Sequence, residues 1–139
     1  MNTTTIHDIQ IIEIPRIHDV RGNLSVLEGD MPPFDIKRVY YLYDVPSDSS
    51  RGGHAHKVLE QFLIATSGSF DVIIKDGSDQ KTITLNKPYL GLLLPSGIWR
   101  ELDNFSSGSV CMVIASEVYQ EDDYIRDFKD FTLYKSHDS

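Results

Sequence analysis

The residues of this chain best suited to chemistry lie in Gly53-His54-Ala55-His56-Lys57-Val58-Leu59-Glu60. On an extended strand alternate side chains share a face, so His54 and His56 point the same way. Glu60 lies an even number of residues further on and can join them. Two imidazoles and a carboxylate directed into one cavity make either a metal site or a proton-transfer site. Imidazole suits both uses, because it ligates metals when neutral and titrates close to neutral pH.

Such a pair needs strands to hold it, and the chain supplies them. Short β-branched or aromatic runs predict strands at residues 9–14, 24–28, 36–43, 59–66, 69–75, 81–85, 90–94, 98–102 and 110–116. Turn chemistry separates them: Asp19 to Gly22, Pro32-Pro33, Ser47 to Gly53, Ser67-Gly68-Ser69, Asp76-Gly77-Ser78, Pro95-Ser96-Gly97 and Ser106-Ser107-Gly108. Many short strands at even spacing imply an all-β sandwich or barrel. Only the C-terminal end reads as helical. There Glu121-Asp122-Asp123 precedes an apolar stripe at Tyr124, Ile125, Phe128 and Phe131.

The 139 residues suffice for one domain, 1–139, with a sizeable core. A net charge of −8 argues against a nucleic-acid or anionic-membrane binder, while leaving room for a small anionic ligand that feels local charge. No apolar run approaches the ~20 residues of a membrane span. The start, Met1-Asn2-Thr3-Thr4-Thr5, lacks the basic and apolar regions of a signal peptide. Cys111 is the one cysteine, which fits a reducing cytoplasm, and its apolar surroundings read as a buried, inert thiol.

His54-x-His56-x-x-x-Glu60 followed by Gly68 resembles the first motif of the cupin superfamily. Pro95-x-Gly97-x-x-Arg100-x-x-x-Asn104 resembles the second. The resemblance implies a cupin-type jelly-roll barrel with its site inside. Metal cupins carry a histidine where this chain has Arg100. Arginine stays protonated and offers no lone pair, so it cannot ligate a metal. Its charge instead suits an anionic intermediate such as an enediolate.

A closer resemblance covers nearly the whole chain. Pro33-Phe34-Asp35-Ile36-Lys37-Arg38-Val39-Tyr40-Tyr41, Arg51-Gly52-Gly53-His54-Ala55-His56-Lys57, Gly91-Leu92, Trp99-Arg100-Glu101 and Ala115-Ser116-Glu117-x-Tyr119-x-Glu121-x-Asp123-Tyr124-Ile125-Arg126 are similar to the dTDP-sugar 3,4-ketoisomerase family. The resemblance implies an isomerase that converts dTDP-4-keto-6-deoxyglucose to a 3-keto-6-deoxyhexose. It also implies no metal or other cofactor, and a homodimer with exchanged N-terminal strands. His54 is then the base, His56 a second proton carrier or an orienting partner, and Tyr40 a proton or hydrogen-bond donor. Arg21, Arg38, Arg51, Lys57, Trp99 and Arg100 are the substrate-binding candidates. Positions matching Arg21 and Arg100 vary with the face on which C4 is reprotonated. Arg21 resembles the galacto-type pattern and Arg100 the gluco-type, so the product configuration stays open.

Each residue also has a structural reading. The histidines could bond loop carbonyls, Tyr40 could be core, and Arg100 could stack on Trp99 at the surface. Arg51 and Lys57 could be solvated, and Arg21 a turn residue. Without a metal, Glu60 would serve as a histidine's hydrogen-bonding partner. A metal-dependent cupin enzyme and a non-catalytic nucleotide-sugar-binding cupin are the alternatives.

Overall fold

The computed structural model describes residues 2–136. The chain runs through β1 (Gln10–Glu13), β2 (Arg16–Asp19), β3 (Gly22–Ser25), β4 (Arg38–Leu42), β5 (Arg51–His56), β6 (Gln61–Ser67), β7 (Phe70–Lys75), β8 (Gln80–Leu85), β9 (Leu90–Leu94), β10 (Trp99–Asp103), β11 (Val110–Ala115) and β12 (Tyr124–Ile125) to a helix, α1 (Phe128–Ser136). Two five-stranded sheets, ordered β1-β9-β6-β11-β4 and β12-β5-β10-β7-β8, form an antiparallel jelly roll of the cupin type.

Side-chain alternation builds the layers. In β7, Phe70, Val72 and Ile74 are buried while the residues between them are half-buried. They meet Leu63, Ala65, Leu92, Leu102 and Val113 between the sheets. The outer face of the first sheet is also covered. Phe62, Ile64, Leu93 and Ile114 lie under Leu27, Met31 and Phe34 from the segment before β4. Burial on both faces explains the unbroken apolar run Phe62-Leu63-Ile64-Ala65. Outside the second sheet, α1 packs Phe131 against Ala55, Trp99 and Ile125. Phe131 is fully buried, an anchor of roughly 1.5–3 kcal/mol.

The expected strands are present, with three differences. β2 was not expected; it pairs with β3 as a hairpin whose eight strand residues are all exposed. β5 begins inside the expected turn, and Gly52 at φ 74° takes up the extra residue where its pairing with β10 shifts register. The expected C-terminal helical stripe starts too soon. Tyr124 and Ile125 form β12 against β5, and the helix begins at Phe128. The physical reason is tertiary: the backbone of Tyr124 and Ile125 pairs with His56 and Ala55, and Ile125 is buried against Ala55 and Trp99. Asp127 then accepts from the amides of Lys129 and Asp130, as an N-cap does.

The packing of β9 on β6 leaves no room at Gly91, where an added Cβ would lie 1.9 Å from the Phe62 ring. Gly91→Ala is expected to cost at least about 1–3 kcal/mol through overpacking. Urea denaturation checks this; an unchanged midpoint would contradict the close approach.

Candidate active site

Five strands and one turn bring their side chains to a single point inside the barrel. β5 contributes His54 and His56, both buried, while Ala55 between them faces the α1 layer. β10 places Arg100 opposite His54 in register. Arg38 and Tyr40 lie on the inward face of β4, and Gln61 opens β6, buried to 3% exposure. A 3-10 turn at Glu121–Asp123 and β12 then bring Asp123 and Tyr124 across β5, with Tyr124 paired to His56.

The polar contacts are specific. Arg100 Nη2 donates to Tyr40 Oη at 3.0 Å and to His54 Nε2 at 3.1 Å. Gln61 Nε2 lies 3.4 Å from Tyr40 Oη and 3.3 Å from His56 Nε2. Asp123 accepts from the amides of Val58 and Leu59, and its Oδ2 stands 3.3 Å from His56 Nδ1. That last approach is within ion-pair range but not directed as a hydrogen bond. The Tyr124 ring packs against both imidazoles, with centroids 5.0 Å and 4.3 Å away. Its hydroxyl accepts from Arg38 at 3.4 Å. Gly52 lets β5 lie against the guanidinium, since a Cβ there would be 3.1 Å from Arg100 Nη1.

The electrostatics of the site are cationic within an acidic protein. Arg100 is 2% exposed and makes no ion pair among the described residues. Burial, then the charges of Arg100, His56, Arg126 and Arg38, push His54 far below the ordinary histidine value. Burial also lowers His56, followed by Arg100, while Asp123 pulls it back up. Both rings are therefore neutral at physiological pH. Among the described residues, three buried side-chain nitrogens lack a hydrogen-bond partner: His56 Nδ1, Arg100 Nε and Arg100 Nη1. All three belong to this one cluster. Buried polar atoms are rarely left unpaired except where a ligand or solvent is to meet them.

The structure thus brings together His54, His56, Tyr40, Arg38 and Arg100. It does not bring the other candidates to them. Trp99 occupies the opposite face of β10, packed on Phe128 and Phe131. Arg21 sits at the tip of the β2–β3 hairpin, its side chain 87% exposed and paired with Asp19. Arg51 opens β5 and Lys57 lies just past its end, on either side of the His54–His56 stretch. Lys57 borders a hollow of about 380 Å³ with Tyr124, Arg126, Asp130 and Tyr134.

Glu60 does not join the histidines. The strand breaks after His56, and the Glu60 amide is bonded to Ser116 Oγ. The carboxylate facing His56 comes instead from Asp123, 67 residues further along than His56. Sequence reasoning did not assign Asp123, Gln61 or Tyr124 to the site. Gln61 had a signal: a lone amide opening an apolar strand must find a buried partner. Among the described residues, no three His, Cys, Asp or Glu side chains converge so as to hold a metal ion.

Residues 7–136 match the family model described as FdtA: WxcM-like, C-terminal. The chain belongs to that family. Proteins similar to this chain carry a consistent activity in their names. A TDP-4-oxo-6-deoxy-alpha-D-glucose-3,4-oxoisomerase from Aneurinibacillus thermoaerophilus is 44% identical over 126 residues, 90% of this chain and 91% of the relative. A 3,4-ketoisomerase from Helicobacter canadensis superposes with a TM-score of 0.90 at 44% identity, over 93% of this chain and 98% of its own. A histidine-to-asparagine variant of the 3,4-ketoisomerase QdtA from Thermoanaerobacterium thermosaccharolyticum, in complex with TDP-4-keto-6-deoxyglucose, gives 0.92 at 39% identity, over 95% and 96%. This FdtA-family chain is an isomerase of the 3,4-ketoisomerase type.

The lowered histidine pKa values set a pH dependence of stability. Unfolded histidines take up protons below about pH 6.5, whereas the folded His54 and His56 resist them to lower pH. Their burial therefore costs no stability above that pH and destabilises the fold increasingly as pH falls below it. Because Arg100 depresses both rings, Arg100→Met is expected to raise the His54 pKa. An NMR titration of the imidazole checks this, and an unmoved value would contradict the contact.

Proposed function

We propose that this FdtA-family enzyme converts dTDP-4-keto-6-deoxyglucose to a dTDP-3-keto-6-deoxyhexose through an enediolate, without a metal or other cofactor, in deoxysugar biosynthesis. The observation that carries this reading is the buried Arg100 guanidinium, which among the described residues has no carboxylate partner and two unpaired nitrogens beside a neutral histidine. The substrate and its 3-keto product are those the relatives' names and the sequence resemblance support.

The C4 ketone acidifies the C3 proton, so no metal is needed to make it labile. His54 takes that proton through Nε2, whose lone pair faces Arg100 until the sugar oxygens draw the guanidinium to themselves. The C3–H electrons form the C3–C4 double bond, and negative charge passes to the C4 oxygen. Arg100 and Tyr40 stabilise it, with Tyr40 supplying a proton to that oxygen. The C3 hydroxyl then returns a proton to Tyr40 as its electrons form the C3 ketone, and the double-bond electrons take a proton at C4, either from His54 itself or from a second donor while His54 releases its proton to solvent. Atoms and charge balance across the shift. In a gluco-configured ring the C3 and C4 hydrogens lie on opposite faces. One base working on one face therefore yields a galacto product, and a gluco product needs a donor on the other face.

Lys57 and Arg126 give the hollow beside Tyr124 two cations, which suits the diphosphate. The oligomer in this reading is a homodimer with exchanged N-terminal strands. The β2–β3 hairpin exposes Ile17, Val20 and Leu24, and an isolated two-stranded hairpin is marginal in water. β4 is a free sheet edge with Val39, Tyr41 and Tyr43 exposed beside it. A partner's hairpin added to that edge would carry Arg21 toward this site. The unpaired, buried Cys111 accords with a cytoplasmic location.

A time course by NMR in deuterated water, with chelator-treated protein and dTDP-4-keto-6-deoxyglucose, tests the reaction. A 3-keto product is expected, and its C4 coupling reads the configuration; turnover only after metal is restored would overturn the reading. His54→Asn is expected to abolish turnover while retaining nucleotide binding. Tyr40→Phe is expected to lower kcat by about 10²–10⁴-fold. Light scattering is expected to give twice the chain mass, and a monomer would remove the exchanged dimer.

A further inference from the structure

The hydrogen bonds around Tyr40 run in one consistent direction. Asp123 is fixed by the amides of Val58 and Leu59, and a carboxylate only accepts. Its Oδ2 lies 3.3 Å from His56 Nδ1, out of line for a hydrogen bond but close enough that the carboxylate charge favours a ring hydrogen on Nδ1. On the other edge of the ring, Gln61 Nε2 lies 3.3 Å from His56 Nε2. An amide nitrogen only donates, so His56 Nε2 is the acceptor. The charge on one edge and the amide donor on the other favour the same neutral tautomer.

The second N–H of Gln61 is directed at Tyr40 Oη, at 3.4 Å. Arg100 Nη2 donates to the same oxygen at 3.0 Å, and a guanidinium also only donates. Two donors occupy the two lone pairs of the phenolic oxygen. The phenolic hydrogen is then left to point into the cavity.

We propose that Asp123 and Gln61 are positioning residues for the ketone shift: acting through His56, they set the direction of a hydrogen-bond chain that commits Tyr40 to donating. The proposal rests on the reading that Tyr40 works on the sugar. It also assigns His56 a role as orienting partner, because its one lone pair is taken by Gln61 and is not free for the substrate.

Gln61→Glu tests the direction with little change of shape. A carboxylate in place of the amide accepts from both neighbours, so it should draw a proton onto His56 Nε2 and turn the Tyr40 hydroxyl away from the cavity. Long-range 15N–1H NMR of the histidine rings, near pH ~7.5, reads the tautomer, with His56→Asn used to assign the signals. The wild type is expected to carry the hydrogen on Nδ1, Gln61→Glu to protonate Nε2, and Gln61→Met to keep the wild-type tautomer. Both variants are expected to lose at least about tenfold in kcat, with KM within about threefold. An Nε2–H tautomer in the wild type, or wild-type kcat in Gln61→Glu, would overturn the proposal. The ring spectra decide the direction of the chain by themselves. A wild-type enzyme that left the keto sugar unchanged would count against the proposed reaction and remove Tyr40's task, whatever the tautomer.

Discussion

A guanidinium held inside a β-sandwich, with no carboxylate partner among the described residues, is the constraint around which this fold is arranged. Taking such a charge out of water costs on the order of several kcal/mol, even after relaxation. The structure meets part of that cost with two oriented neutral groups, Tyr40 Oη and His54 Nε2. It leaves the rest uncompensated. The β5–β10 pairing shifts register between Arg100 and Leu102. Gly52, at a positive φ, lies against the guanidinium where a side chain would crowd it. Burial first, and this charge second, keep the neighbouring imidazoles neutral, which is the state a base requires.

The backbone around the histidines is tied down from outside the barrel. The Gly97 amide donates to the His56 carbonyl at 2.7 Å, and the Gly97 carbonyl accepts from Lys135 of α1. Lys135 also donates to the Thr4 carbonyl. One lysine therefore links the helix, the N-terminal segment and the Gly97 loop that is bonded to the His56 carbonyl. The Lys57 amide donates to the Asp123 carbonyl, so the turn carrying Asp123 is fixed to the same strand by backbone as well as side-chain bonds. Precision at the site thus comes from strands on the inside and from a short helix on the outside.

Much of this was legible in the sequence because it follows from period and residue type. The alternation in β7, the glycine turns and the His54/His56 pair each depend on local spacing alone. Arg100 was legible because its chemistry excludes metal ligation wherever it points. What escaped was long-range. Asp123 reaches His56 only because Tyr124 and Ile125 leave a helical pattern to complete a sheet, a tertiary override of local periodicity. Glu60 had the right parity, but parity holds only while a strand continues, and β5 ends at His56. Trp99 shows the converse. Its place next to Arg100 in the sequence put it on the opposite face of the strand.

That opposite face gives Trp99 a further significance. It is the one tryptophan of the chain, and its indole is wedged among Phe128, Phe131 and the second sheet while its Nε1 donates to Glu101. Intrinsic fluorescence excited at the indole is therefore a natural optical gauge of whether the terminal helix is docked. The gauge lies outside the barrel wall from the reacting groups. Alterations inside the cavity can be scored for chemistry and, separately, for the integrity of the outer layer in the same cuvette.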